Sequence, residues 1–212
     1  MVTKIILADD HPLLIVGARV QIEKLEFATV VGEAHDPDEV DTLLNTLECD
    51  VLVTDFSMPS KKLGDGLRMI SHVRRYYPHV SIIVLTMLTT PGILLAILRE
   101  KVNGLLSKAS LIEELPKALT AVCNHTNYVS PAIKEAIGLD NYMHIDKNNH
   151  LSPRESEVIR LFATGMTGDQ IALQLHRSKK TISRQKKSAM HKLGVATDSE
   201  FFAYLRELEG NF

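Results

Sequence analysis

Asp9, Asp10, Asp55, Thr86 and Lys108 are the residues whose types could do chemistry together. Each follows a short, mostly apolar run. Lys4-Ile5-Ile6-Leu7-Ala8 leads into Asp9-Asp10, and Val51-Leu52-Val53-Thr54 leads into Asp55. Ser81-Ile82-Ile83-Val84-Leu85 ends on Thr86, and Gly104-Leu105-Leu106-Ser107 leads into Lys108. Three carboxylates brought together repel, and each raises the others' pKa unless a cation neutralises them. Magnesium suits such a cluster, as a hard ion that takes a few carboxylates, waters and phosphate oxygens. Neutralised in that way, Asp55 stays ionised and can attack phosphorus to give an aspartyl phosphate. The Lys108 ammonium and the Thr86 hydroxyl would then bind the phosphoryl oxygens. Singly, Asp10 reads as a helix cap, Thr86 as a common strand residue and Lys108 as a solvated cation. Four such coincidences at the ends of four strands are improbable.

The elements that must hold these residues follow from the pattern around them. Short apolar runs alternating with helical patterns, as in Leu14, Ile15, Ala18, Ile22 and Leu25 after Pro12, predict parallel strands covered on both faces. Strands are expected at 4–8, 29–34, 51–55, 81–86 and 104–108, with helices after each, the last running from Leu111 to about Cys123 with Pro116 inside it. Pro12, Pro37 and Pro91 stand where a first helical turn tolerates proline. The expected fold class is α/β, a doubly wound, flavodoxin-like sheet of five parallel strands, followed by a small all-α helix-turn-helix domain. Such sheets bind ligands at the carboxyl ends of the strands, at the switch point between neighbours. The expected units are 1–123, a linker at 124–149 and 150–212. Ser130-Pro131 could cap a short helix within that linker, which turns polar from Asp140 onward.

Charge divides the chain in the same place. Residues 1–149 hold 14 Lys/Arg against 19 Asp/Glu, while 150–212 hold 10 against 7. Only the rear half suits a polyanion. Cys49 and Cys123 have no metal spacing and read as buried or free thiols in a reducing cytoplasm. No run reaches membrane-spanning length, no secretory leader is read at the N-terminus, and Asn124-His125-Thr126 is then a chance glycosylation pattern.

In the rear half, Ser152 caps a helix with Pro153 at its first position and Glu155 three after the cap. A second short helix carries Ile171, Ala172 and Leu175. Ser178 then caps a third, Lys179 to about Leu193, and a fourth is expected from Asp198 to Leu208. The third buries Ile182, Ala189 and Leu193 and carries Lys180, Ser183, Arg184, Lys186, Lys187 and His191 elsewhere. It contains no Asp or Glu. A solvated helix normally mixes signs, so double-stranded DNA is the expected partner.

Asp9-Asp10, Asp55 with Met58-Pro59, Thr86 and Lys108 resemble the receiver domain of bacterial two-component response regulators over residues 3 to about 123. That resemblance implies that Asp55 accepts a phosphoryl group from a histidine phosphotransfer protein or sensor kinase. It implies that Asp10, Asp55 and the Ser57 carbonyl ligate Mg2+, with Asp9 assisting. Leu151-Ser152-x-Arg154-Glu155-x-Glu157-Val158, Gln170-Ile171-Ala172, Ser178, Thr181-Ile182 and Lys192-Leu193 resemble the LuxR/FixJ-type DNA-binding domain. Together they point to the NarL/FixJ class. Phe56-Ser57-Met58-Pro59, Gly64-Asp65-Gly66 and the run from Thr181 to Met190 resemble its capsule-synthesis phosphorelay branch. Matched to that class, Ser183, Arg184 and Lys187 face bases, Lys180, Thr181 and Lys192 lie nearer phosphates, and Lys186 belongs to the same DNA-binding set. A homodimer is expected, with Phe201, Phe202 and Tyr204 as a candidate face, and heterodimers with auxiliary regulators are implied by the branch. Leu105, Met87 and Ala109 depart from the receiver pattern at positions that concern the switch. An aspartate-nucleophile phosphohydrolase is the competing enzyme reading, but it lacks a second acid two positions after Asp55, where Ser57 stands. A phosphorylation-independent adaptor in heteromers is the other competitor.

Overall fold

The computed structural model describes residues 2–60, 63, 64, 66–138, 151–193, 195 and 197–209. Its first part alternates strand and helix: β1 (Thr3–Ala8), α1 (Pro12–Glu23), β2 (Ala28–Ala34), α2 (Pro37–Thr46), β3 (Val51–Asp55), α3 (Gly66–Tyr76), β4 (Ser81–Thr86), α4 (Pro91–Arg99), β5 (Gly104–Ser107) and α5 (Leu111–Cys123). A 3-10 turn at Lys108–Ser110 joins β5 to α5. All pairings are parallel, in the order β2-β1-β3-β4-β5-β6, where β6 is Tyr128–Val129. The near-continuous apolar runs are explained by position, since β3 is buried at every residue between helices on both faces.

The expected sheet of five strands is corrected to six. β6 (Tyr128–Val129) pairs with β5, and α6 (Pro131–Ile137) follows it. A strand of two residues has no periodicity to read, and Tyr128 is fixed instead by a tertiary contact, its hydroxyl donating to Glu114 Oε2 at 3.2 Å. The ordered start of the segment read as linker is thus part of the sheet and its covering layer, while residues 139–150 lie outside the described residues.

The register decides where the chemistry falls. Ala8 stands opposite Thr54, so Asp9 and Asp55 leave neighbouring strands side by side. Asp55 stands opposite Leu85 and Thr86 opposite Ser107, which brings Thr86 and Lys108 to the same edge. Beyond β3 the chain is turned by two glycines in the left-handed region, Gly64 and Gly66. A Cβ at Gly66 would lie 3.1 Å from the Phe56 ring. Glycine there lets the buried Phe56 pack beneath the start of α3 and shapes the loop that follows Asp55.

The rear part is helical: α7 (Pro153–Ala163), α8 (Gly168–Gln174), α9 (Lys179–Leu193) and α10 (Asp198–Glu209). Capping boxes open the first two, Ser152 with Glu155 and Thr167 with Gln170. Ser178 Oγ accepts from Thr181 N at 3.1 Å and starts α9. Phe162, Ile171, Ile182, Ala189, Leu193, Phe201 and Leu205 form the core of this unit. Phe201 is filled into that core and Tyr204 is buried on the side of α10 that meets α4, which corrects two of the three residues of the candidate dimer face. Only Phe202, 46% exposed, is left outside.

Candidate phosphoacceptor site and nucleic-acid interface

At the carboxyl edge of β1, β3, β4 and β5 the Lys108 ammonium lies between two carboxylates. Its Nζ is 2.7 Å from Asp9 Oδ2 and 2.8 Å from Asp55 Oδ2. All three side chains are nearly closed to solvent, at 7, 4 and 6% exposure, so these charges compensate one another rather than water doing so. The Ser57 N–H lies beside the Asp55 carboxylate and favours its charged form. Thr86 is buried, and its hydroxyl oxygen accepts from Leu88 N at 3.0 Å, which fixes the oxygen and leaves the hydroxyl proton for another acceptor.

Burial pushes the Asp55 carboxyl above its ordinary value. The ion pair with Lys108 and the Ser57 N–H pull it down without cancelling that effect, and the nearby Asp9 adds to the rise. Burial works against the Lys108 charge too, but hydrogen bonding and attraction to Asp55 and Asp9 outweigh it and hold the amine above its usual range. Asp55 is thus an acceptor whose ionisation depends on nearby positive charge.

Asp10 completes the cluster. Asp9, Asp10, His11 and Asp55 each present a ligand atom, and these atoms lie within 4.8 Å of one another. Asp9 Oδ2 and Asp10 Oδ1 are shielded from water, and each has a single close nitrogen, Lys108 Nζ and His11 Nδ1, both at 2.7 Å. Shielded carboxylate oxygens with spare lone pairs are the donor set that a hard divalent cation takes, so these residues fit magnesium.

Some seventy residues beyond Lys108, α9 presents a contrasting surface. Lys180, Thr181, Ser183, Arg184, Lys187 and His191 are exposed, while Ile182, Ala189, Met190 and Leu193 are buried. Lys180, Arg184, Lys187 and His191 follow one another at steps of three and four and line one face. Two lysines of the expected DNA set turn inward instead. Lys186 Nζ is 2.9 Å from Asp198 Oδ1 and stands over the rings of Phe162, Phe201 and Phe202 at 5.4, 4.9 and 5.2 Å. Lys192 Nζ donates to Glu155 Oε2 at 2.8 Å. Sequence spacing along α9 could not separate these two from the others, because their partners lie on α7 and α10.

A sheet with an acid-and-lysine pocket at its switch point, joined to a helix-turn-helix with a basic exposed helix, defines a regulator switched at one end and reading nucleic acid at the other. The comparisons agree. Residues 5–120 match the response regulator receiver domain, and residues 149–205 match the LuxR family of bacterial regulatory proteins. The chain belongs to the two-component response regulators, as a receiver domain followed by a LuxR-type DNA-binding domain. Among its relatives is the transcriptional regulatory protein RcsB of Salmonella typhi, 44% identical over 95% of this chain and 93% of the relative. It is similar to RcsB from Salmonella enterica serovar Typhimurium bound to promoter P1flhDC with the phosphomimetic BeF3-, at TM-score 0.81 and 40% identity over 99% of both chains. Two RcsB dimers bound to two parallel DNAs match at TM-score 0.78 and 41% identity over 98% of this chain and 100% of that one. A Salmonella typhimurium RcsB structure described for its conformational dynamism matches at TM-score 0.63 and 42% identity, over 96% of this chain and 98% of that one. Among the described residues no helix is long and apolar enough to cross a membrane.

Proposed function

We propose that this chain is a transcription regulator whose DNA binding is switched by phosphorylation of Asp55. The observation that carries the reading is the Lys108 ammonium set between Asp9 and Asp55 at the carboxyl ends of β1 and β3. A carboxylate oxygen of Asp55 attacks the phosphorus of a phosphohistidine on a phosphotransfer protein or kinase. The O–P bond forms, the P–N bond breaks, and the histidine nitrogen keeps the electron pair. Lys108 and the Thr86 proton are placed to hold phosphoryl oxygens as negative charge moves onto the site. Asp10, Asp55 and the Ser57 carbonyl, with Asp9 assisting, would hold Mg2+, which when bound supplies positive charge that lowers carboxylate repulsion. The closed unit that carries this chemistry runs to 138, beyond the expected limit of 123.

On DNA, Ser183, Arg184 and Lys187 face base edges, and Lys180 and Thr181 contact phosphates. Lys186 and Lys192 are assigned here to bracing α9 within its own unit. A single helix-turn-helix offers few base contacts, so a homodimer on two half-sites is expected, as RcsB forms on DNA. With Phe201 and Tyr204 buried, an apolar strip on α1 is the better receiver face for pairing: Leu13, Val16 and Val20 are exposed, and Ile112 of the neighbouring α5 joins them. The test is labelling by acetyl phosphate with Mg2+. The wild type should incorporate phosphate and Asp55→Asn none; equal labelling of that variant would remove Asp55 from its role.

A further inference from the structure

α4 is apolar all round. Gly92, Ile93, Leu94, Leu95, Ala96 and Ile97 are consecutive, and all are buried. A helix on the outside of a sheet normally keeps one polar face towards water, and one that is buried on every side must be covered on its outer side as well. Part of the cover is α6. The rest is the chain's own DNA-binding unit, since α9 and α10 both pack on α4.

One polar group fastens this contact and another is buried in it. The Arg99 guanidinium, at the last residue of α4, donates to the Lys192 carbonyl oxygen near the end of α9. A cation there meets the negative end of the helix dipole and satisfies a carbonyl that α9 cannot pair itself. Tyr204 of α10 is buried beside Arg99, and burial pushes its phenol up to about 12. The contact leaves the other side of α9 open, where Lys180, Arg184 and Lys187 remain exposed. Docking therefore does not mask the basic face. The full-length similarity adds a second observation. Over nearly the whole chain, the arrangement matches promoter-bound, phosphomimetic RcsB at TM-score 0.81, against 0.63 to 0.70 for the RcsB structures described for their conformational dynamism.

We propose that α4 is a docking surface for the DNA-binding unit of the same chain, that the docked arrangement is the DNA-competent one, and that Arg99 is its latch. α4 starts five residues after Thr86 and spans nine residues, a rod of about 13 Å between the phosphoacceptor edge and the end of the reading helix. A docked receiver holds α9 at a fixed angle to its own pairing face, so two chains present their reading helices with one spacing. The undocked form leaves that spacing to a tether. Docking acts by raising the population of the binding-competent arrangement, not by adding a DNA contact. The proposal rests on the assignment of α9 as the reading helix and does not require phosphate on Asp55.

The experiment uses the full chain and a duplex selected by the wild type from a random pool, read by fluorescence anisotropy, with small-angle scattering of the free protein. Arg99→Ala should weaken binding roughly fivefold or more, a coupling of ordinary allosteric size. It should also increase the radius of gyration, while Mg2+-dependent beryllofluoride uptake at Asp55 stays intact. Arg99→Lys, which keeps a cation at the helix end, should recover part of both. Unchanged affinity overturns the proposal, and raised affinity does so in the opposite sense, making the contact inhibitory. A scattering profile whose compaction depends on protein concentration would assign the docked unit to a second copy and overturn the intramolecular arrangement. Arg184→Ala serves as the separate control. If it too binds normally, the assignment of α9 fails; if it alone weakens binding, only the docking proposal fails.

Discussion

The acidic pocket and the basic helix solve opposite electrostatic problems. In the pocket Asp9, Asp55 and Lys108 are closed to solvent, and the Lys108 ammonium is shared by Asp9 and Asp55 within 2.8 Å. On α9 the outward charges face water without acids on their own helix, and the two lysines that turn inward are each matched to one acid, Asp198 or Glu155. The difference teaches what burial demands. A desolvated charge is tolerated only with a partner, whereas a solvated one can stay unmatched until a polyanion arrives. An internal partner thus marks a lysine as structural, and its absence on an exposed face marks a surface for something outside.

The sharpest way to break that comparison is to leave the pocket uncompensated. Lys108→Ala keeps both carboxylates buried and removes their cation, which should cost about 3–5 kcal/mol of receiver stability without divalent ions. Mg2+ should restore much of this by binding the folded form only, because its ligands are spared. Denaturant melts with and without Mg2+ measure both. A loss below about 1 kcal/mol, judged against the 3–5 expected of a buried pair, would mean that solvent already reaches the pocket.

A smaller effect is expected from the buried acid of the rear unit. Burial pushes the Glu155 carboxyl up, but bonds from Lys192, Ser188 and Ser152 overcome that and bring it down to about 2. A carboxylate held below its ordinary value of 4.5 stabilises the fold above that value. The contribution fades as pH falls from about 4.5 towards 2. Glu155→Gln can still cap α7 but loses the charge, and should cost roughly 2 kcal/mol at pH 7, the range for charge-assisted bonds. The gap between variant and wild type should close on acidification. Thermal melts that keep a constant gap between pH 6 and 3 would show that the charge is not what matters.

Much of this was legible before any coordinates. Four apolar runs ending on Asp9-Asp10, Asp55, Thr86 and Lys108 are local signals, and a parallel sheet leaves only one edge for their ends to share. The helices of the rear unit announce themselves through Ser152 and Ser178 and through apolar spacing. What stayed hidden depends on partners distant in sequence. β6 is two residues held by β5 and Glu114, and Lys186 and Lys192 are turned by acids on other helices. Phe201 and Tyr204 are apolar at positions that serve a core or an interface equally well, and only packing decides which.

The finest distinction is between two lysines of the same helix, Lys180 and Lys186. Lys180 is exposed with no acid on α9, whereas Lys186 is 15% exposed and held by Asp198 and three rings. Each phosphate contact releases counterions, so losing one should lower the salt slope of DNA binding by about 1. Lys180→Ala should do so and weaken specific and non-specific DNA alike. Lys186→Met removes the same formal charge but no phosphate contact. Its slope should stay near that of the wild type while the thermal stability of the rear unit falls, because the rings of Phe162, Phe201 and Phe202 lose the ammonium held over them. Affinity measured at four or five salt concentrations separates the two. Equal slope changes in both variants would mean that Lys186 swings out to DNA on binding, and that an internal partner in the free protein is no guide to a lysine's role.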